Sequence, residues 1–126
     1  MTEGLADPAG VPTPELERLY GLWSDGGAGL LLSGNILIDG DHLERPGNVI
    51  IEREADATMH AALSSWAHAA TRNGNHFWAQ ISHAGRQTQK VINPYPKAPS
   101  AVKMALPGGQ FGEPVALTVA EIEDIV

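Results

Sequence analysis

Apolar runs and amphipathic stretches alternate along this chain, and that alternation limits the folds open to it. Thr13-Pro14-Glu15 reads as a helix start, with Thr13 as N-cap, Pro14 in the first turn and Glu15 against the helix dipole. Leu16, Leu19, Tyr20 and Trp23 recur at helical spacing, and Asp25-Gly26-Gly27 closes the segment. Gly29-Leu30-Leu31-Leu32-Ser33 follows at once. A continuous apolar run bounded by glycines predicts a strand buried on both faces, as in a parallel sheet. Asn48 to Ile51 reads as a short strand. The spacing predicts a second helix over 57–72, with Asp56 as N-cap and Met59, Ala62, Leu63, Trp66, Ala67 and Ala70 as its buried stripe; Asn73-Gly74 ends it. A buried strand is predicted over 76–82. A long proline-rich connection over 84–117 follows, of a kind that is usually functional. Thr118 and Glu121 form a capping box that starts a third helix. The order helix, strand, helix, strand, helix predicts an α/β fold with a parallel sheet.

Charge and cysteine content remove several classes of function. A chain of 126 residues holds one domain at most. Its formal net charge is −7 and its eight basic residues are scattered, so neither nucleic acid nor an anionic membrane surface is an expected partner. There is no cysteine, which excludes disulfides, thiolate chemistry and Cys-based zinc sites. No run of ~18 apolar residues is present, and Met1 to Pro8 lacks the basic and apolar regions of a signal peptide. A cytoplasmic location is expected.

The chemistry concentrates where the predicted strands end. Gln80 interrupts the apolar run His76-Phe77-Trp78-Ala79-Gln80-Ile81-Ser82. A buried amide needs partners for two donors and an acceptor, and leaving them unmet costs about 1–3 kcal/mol. The partner is either a ligand or neighbouring backbone. The loop His83-Ala84-Gly85-Arg86 follows directly, and Gly34-Asn35 holds the same position after the earlier strand. Parallel α/β folds bind ligands at that edge. His83 suits an acid/base, an anion contact or a loop-stabilising hydrogen bond; Arg86 suits an anionic ligand or a nearby carboxylate. His60 and His68 share a helix face only loosely, and His42 and His76 have no ligand spacing with them, so no metal site is expected. Ser64-Ser65 sits mid-helix without a nucleophile elbow. No phosphate-cradling glycine motif occurs. Glu44-Arg45 and Glu52-Arg53-Glu54 read as solvated surface charge.

Several of these segments together resemble the old yellow enzyme family, the FMN-dependent NAD(P)H:flavin oxidoreductases and ene-reductases. They are Met1-Thr2, Gly29-Leu30-Leu31-Leu32-Ser33-Gly34-Asn35, His42-Leu43-Glu44-Arg45-Pro46-Gly47, Trp78-Ala79-Gln80-Ile81-Ser82-His83-Ala84-Gly85-Arg86-Gln87, Ala98-Pro99-Ser100 and Leu117 to Ile122. The resemblance implies a partial (β/α)8 TIM barrel: roughly the first three βα units, lacking the start of the first strand. Residues 1–126 would then be an N-terminal fragment of one FMN-binding domain. It implies FMN as cofactor, NAD(P)H as hydride donor and an activated alkene, an enone or enoyl-type compound, as small-molecule substrate. Gln80 matches the glutamine that bonds the pyrimidine edge of the flavin. Thr2 matches a position that contacts a flavin carbonyl, where a hydroxyl donor would stabilise reduced flavin. Asn35 stands where the family uses Gly or Ala, with Gly34 the alternative in register. His83 and Arg86 would shape the mouth. Gly4 replaces a substrate-contacting tyrosine of some members. The family's substrate-anchoring residues match positions after Val126, so no catalytic residue is assigned here, and the fragment alone is expected to be inactive and to hold FMN weakly. The competing reading is a non-catalytic partial α/β unit that binds a partner or forms a homo-oligomer through its open sheet edge.

Overall fold

The computed structural model describes residues 1–126. Helix α1 (Pro14–Asp25) starts at its proline, with Thr13 extended at the N-cap. The Thr13 hydroxyl does not cap the helix; it donates to the Leu5 carbonyl at 2.6 Å and ties the N-terminal segment to the helix start. Helix α2 (Ala57–Ala70) is capped by Asp56, whose carboxylate accepts from the Met59 N–H at 2.8 Å. Helix α3 (Val119–Ile125) carries the complete capping box of Thr118 and Glu121. No helix is long and apolar enough to cross a membrane.

Strands β1 (Leu30–Leu37), β2 (Val49–Ile50) and β3 (His76–Ser82) form one parallel sheet in the order β2-β1-β3. Strand β1 continues past Ser33 to Leu37, longer than its apolar run predicts. The connection after β3 is structured. A 3-10 turn spans Gly85–Gln87, and β4 (Lys97–Ala98) pairs in parallel with β5 (Val115–Ala116). Lys97 reaches Glu121 at 2.6 Å, which fastens α3 to this small sheet.

The β1–β3 ladder contains a bulge. Leu32 pairs with Trp78 and Asn35 with Gln80, so three steps along β1 match two along β3. Backbone groups at the bulge find side-chain partners. The Gln80 N–H donates to Ser33 Oγ at 2.8 Å, and the Gly34 N–H faces Tyr20 Oη at 2.9 Å and Glu3 Oε1 at 3.0 Å. The extra residue also reverses the alternation of β1. Leu31 before the bulge and Ile36 after it both pack against the helices, although strict alternation would set them on opposite faces.

The core lies on that helix-covered face. Leu16 and Tyr20 of α1, Trp66 and Ala70 of α2, Ile36 and Val49 are buried together. Tyr20, Trp66 and Phe77 form a triangle of rings with centroids 5.1–5.2 Å apart, a spacing suited to edge-to-face contact. Trp23 and Ala67, both expected in the buried stripes, lie at the surface.

The opposite face of the sheet has no layer over it. Leu30 is 43% exposed, Leu32 46% and Trp78 61%, and β3 has no buried residue. This corrects the expectation that β1 and β3 are buried on both faces. Their composition suits that burial, but no element of this chain packs over the second face or beyond the outer edge of β3.

Tyr20 is fully buried and joins the core to the bulge through Glu3 and Gly34. Burial and the Glu3 carboxylate hold its phenol well above the ordinary range, so it stays a donor. Tyr20→Phe is expected to lower unfolding free energy by about 1–3 kcal/mol, the cost of unmet buried polar groups. Urea denaturation checks this, and an unchanged midpoint contradicts it.

Candidate functional site

The bulge decides which side chains meet at the C-terminal end of the sheet. Asn35 lies across from Gln80, and their side chains join through the Gln80 amide N–H and Asn35 Oδ1. Asn35 Nδ2 donates to Glu44 Oε2 at 2.5 Å, and the Thr2 hydroxyl donates to the same oxygen at 2.5 Å. Asn48 Nδ2 lies 3.3 Å from Thr2 Oγ1 and 3.5 Å from the Asn35 carbonyl. The Asn35 N–H donates to the Met1 carbonyl at 2.8 Å, which lays the N-terminal residues alongside β1. Thr2, Asn35 and Gln80 therefore lie together in one hydrogen-bonded cluster around Glu44.

Gly34 does not join them. A Cβ at this residue would come within 2.0 Å of Glu3 Oε2. Its lack of a side chain admits the Glu3 carboxylate, and its N–H is already bonded. Of the two residues in register, Asn35 is the one beside Gln80. Thr2 also departs from expectation. Its single hydroxyl proton goes to Glu44 and its oxygen faces Asn48, so it has no donor left for a flavin carbonyl.

Glu44 corrects the reading of Glu44-Arg45 as solvated surface charge. Burial pushes its carboxyl up, but hydrogen bonds from Thr2 and Asn35, with Arg45 nearby, hold it below the ordinary carboxylate range. Sequence reasoning had no signal for this role, since a Glu-Arg pair in a loop looks the same whether or not it reaches a site. Glu44 and Asn35 border a polar cleft with Ser82, His83, Gln87 and Gln110.

His83 sits to one side of the amide cluster. Its ring stacks on His42 with centroids 4.5 Å apart, and its Nε2 lies 3.8 Å from Asp39. Its Nδ1 accepts from the Gly85 N–H at 3.1 Å, the loop-stabilising role among those open to it. The three side chains Asp39, His42 and His83 place their ligand atoms within 4.8 Å of one another. Sequence spacing concealed this group, because its members meet only where the paired ends Leu37 and Ser82 release their loops side by side. The hydrogen bonds argue against a metal there. His42 Nδ1 bonds Asp39 at 2.7 Å and Nε2 accepts from the Lys97 N–H at 2.7 Å. A metal on Nδ1 would force a proton onto Nε2, facing that N–H. Arg86 lies exposed on the 3-10 turn, beside a cleft lined by His83, Ala98 and Ser100.

Burial, with His42 adding to it, holds the His83 imidazole below its usual value, against the pull of Asp39. A depressed folded-state value favours the neutral ring. The stabilisation is present above the unfolded-state value near 6.5 and is lost as pH falls through the depressed value. Denaturation between pH 7.5 and 5 is expected to show a smaller loss of stability for His83→Gln than for the wild type. Equal losses would contradict the assignment.

No protein-family model matches the chain. It is similar along its length to part of several longer proteins. It is 36% identical to the NADH-dependent flavin oxidoreductase nadA of Aspergillus parasiticus, over 99% of this chain and 29% of that one. It is 33% identical to an NADH oxidase of Thermoanaerobacter brockii, over 100% of this chain and 19% of that one. Its structure superposes on the old yellow enzyme homologue of Zymomonas mobilis with a TM-score of 0.78 and 26% identity, covering 98% of this chain and 35% of that one. Morphinone reductase in complex with tetrahydroNAD, at 24% identity, gives a TM-score of 0.78 over 99% of this chain and 37% of that one. The chain thus spans about a third or less of each of these proteins. Sequence and fold together relate it, over its whole length, to part of the old yellow enzyme-type, NADH-dependent flavin oxidoreductases.

Proposed function

We propose that residues 1–126 are the N-terminal portion of a single FMN-binding barrel domain, the portion that presents Gln80 to the flavin. The placement of the Gln80 amide carries this reading. It stands at the C-terminal end of a parallel sheet, on the face away from the helices, with one N–H committed to Asn35. Its carbonyl oxygen and second N–H have no partner within the chain. An acceptor and a donor side by side match the alternating C=O and N–H groups of a pyrimidine edge. The donor set therefore fits a flavin.

In this reading Gln80 binds the pyrimidine edge and Asn35 braces it. Thr2 lines the wall as an acceptor, and Gly34 keeps the bulge in place through Glu3. His83 stiffens the loop at the mouth, and the exposed guanidinium of Arg86 suits an anionic group there. When bound, FMN would supply the hydride chemistry between NAD(P)H and an activated alkene of the enone or enoyl type. The chain's own part is to orient the ring. Phosphate clamps of barrels of this kind come from late strands, so this chain holds the ring edge without the phosphate.

Titration of the chain with lumiflavin and with FMN, read by fluorescence quenching, tests the proposal. Both are expected to bind with similar weak affinity, and Gln80→Leu is expected to weaken both about tenfold, the loss of a ligand hydrogen bond. Absence of lumiflavin binding would overturn the flavin reading. A strong preference for FMN would overturn the absence of a phosphate clamp.

One observation favours the competing reading of a non-catalytic unit that self-associates. β3 is an edge strand with Trp78 and Ile81 61% and 60% exposed, and open apolar edges invite pairing. Sedimentation of wild type and Ile81→Lys distinguishes the two. A defined dimer that the lysine abolishes, together with no flavin binding, supports self-association.

A further inference from the structure

Three polar side chains meet at the site, and the hydrogen bonds among them run in one direction. Glu44 is a carboxylate and only accepts. Its Oε2 takes the Asn35 Nδ2 hydrogen at 2.5 Å. With its nitrogen committed there, the Asn35 amide turns its oxygen toward β3, where it accepts from Gln80 Nε2. The Gln80 amide must then direct its own oxygen away from Asn35. Each step follows from the one before, and reversing it would set a carboxylate against an amide oxygen. By itself a pair of amides has no such preference, since either can flip and exchange the roles of O and N. The loop that carries Glu44 is held firmly. Leu43 is buried beside it, and the Arg45 N–H donates to the buried Asn48 at 3.1 Å.

We propose that Glu44 is a positioning residue that fixes the Asn35 and Gln80 amides in one orientation, and so dictates that Gln80 offers its ligand a carbonyl oxygen and one N–H. The inference rests on the flavin reading for the identity of the ligand, but not for the orientation of the amides. It gives Glu44 a task that its distance in sequence from Gln80 conceals. The residue does not touch the ligand; it acts through Asn35. The Thr2 hydroxyl, bonded to the same oxygen at 2.5 Å, keeps that carboxylate turned toward Asn35.

The test uses the full 126-residue chain, labelled with nitrogen-15, as wild type, Glu44→Gln and Glu44→Ala. Circular dichroism and the dispersed backbone spectrum establish that each variant is folded. The side-chain NH2 resonances of Asn35 and Gln80 report the orientation. In the wild type, the NH2 shifts of both are expected to lie displaced from those of a free amide. Glu44→Gln replaces an acceptor-only carboxylate with an amide that can also donate, so the direction is no longer fixed and its shifts are expected between those of wild type and Glu44→Ala. Glu44→Ala removes the acceptor and is expected to collapse the Gln80 pair toward the values of a free amide. A merely structural role would spare Gln80 in any folded variant, so Gln80 resonances unchanged in Glu44→Ala would overturn the proposal.

Lumiflavin titration of the same three proteins separates this inference from the one beneath it. Glu44→Ala is expected to bind about tenfold more weakly than wild type, with Glu44→Gln between the two. If lumiflavin binds wild type and Glu44→Ala equally well, the positioning role fails. If lumiflavin binds none of them while the Gln80 resonances follow residue 44, the flavin reading fails and the orienting role of Glu44 stands.

Discussion

One extra residue in β1 decides which way the polar side chains of this sheet face. Before the bulge, Leu31 looks toward the helices; after it, Ile36 does. The change of parity carries Asn35 off the helix-covered face and sets it across from Gln80. Were the same residues paired in register without the bulge, Asn35 would share the side of Leu31, and an amide would face the aromatic core of Tyr20, Trp66 and Phe77. A bulge leaves ladder groups unpaired, and unpaired backbone groups are costly unless something meets them. Here Ser33, Glu3 and Tyr20 meet them. The same side chains bind the N-terminal segment, α1 and both long strands into one network, so the stability of the core and the aim of the site share their supports.

The two faces of the sheet follow different physics. One is closed by α1 and α2 and held by apolar burial and ring packing. The other carries Leu30, Leu32 and Trp78 exposed toward its N-terminal end, and Asn35 and Gln80 further along, where Glu44 reaches Asn35. The relatives share this architecture over about a third of their length, and in a closed barrel of that type the same face would be the interior.

Local signals in the sequence were strong and mapped closely onto the elements. Pro14, Asp56 and the Thr118/Glu121 box mark helix starts through chemistry that acts over one turn. The limits of β3 follow from its apolar run, and Gln80 stands out because an amide is out of place there. What the sequence concealed depends on contacts between distant segments. The bulge is hidden because Ser33-Gly34 reads as the end of a strand as readily as its middle. Glu44 and the Asp39–His42–His83 group are hidden because strand register and loop closure, rather than spacing along the chain, bring them together. The β4–β5 pairing is hidden because two-residue strands carry no periodicity. Burial on both faces was overestimated because composition reports what a strand is suited to, not what this chain places over it.

The most direct test of this account is hydrogen exchange at the Gln80 backbone amide, which bonds Ser33 Oγ in place of a ladder carbonyl. In the wild type this amide is predicted to be protected. In Ser33→Ala it is predicted to lose its protection, while the His76 amide, bonded to the Gly29 carbonyl at 3.0 Å, keeps its own. Equal protection of Gln80 in both proteins would mean that an unbroken ladder holds β3 to β1, and that the bulge does not set the site.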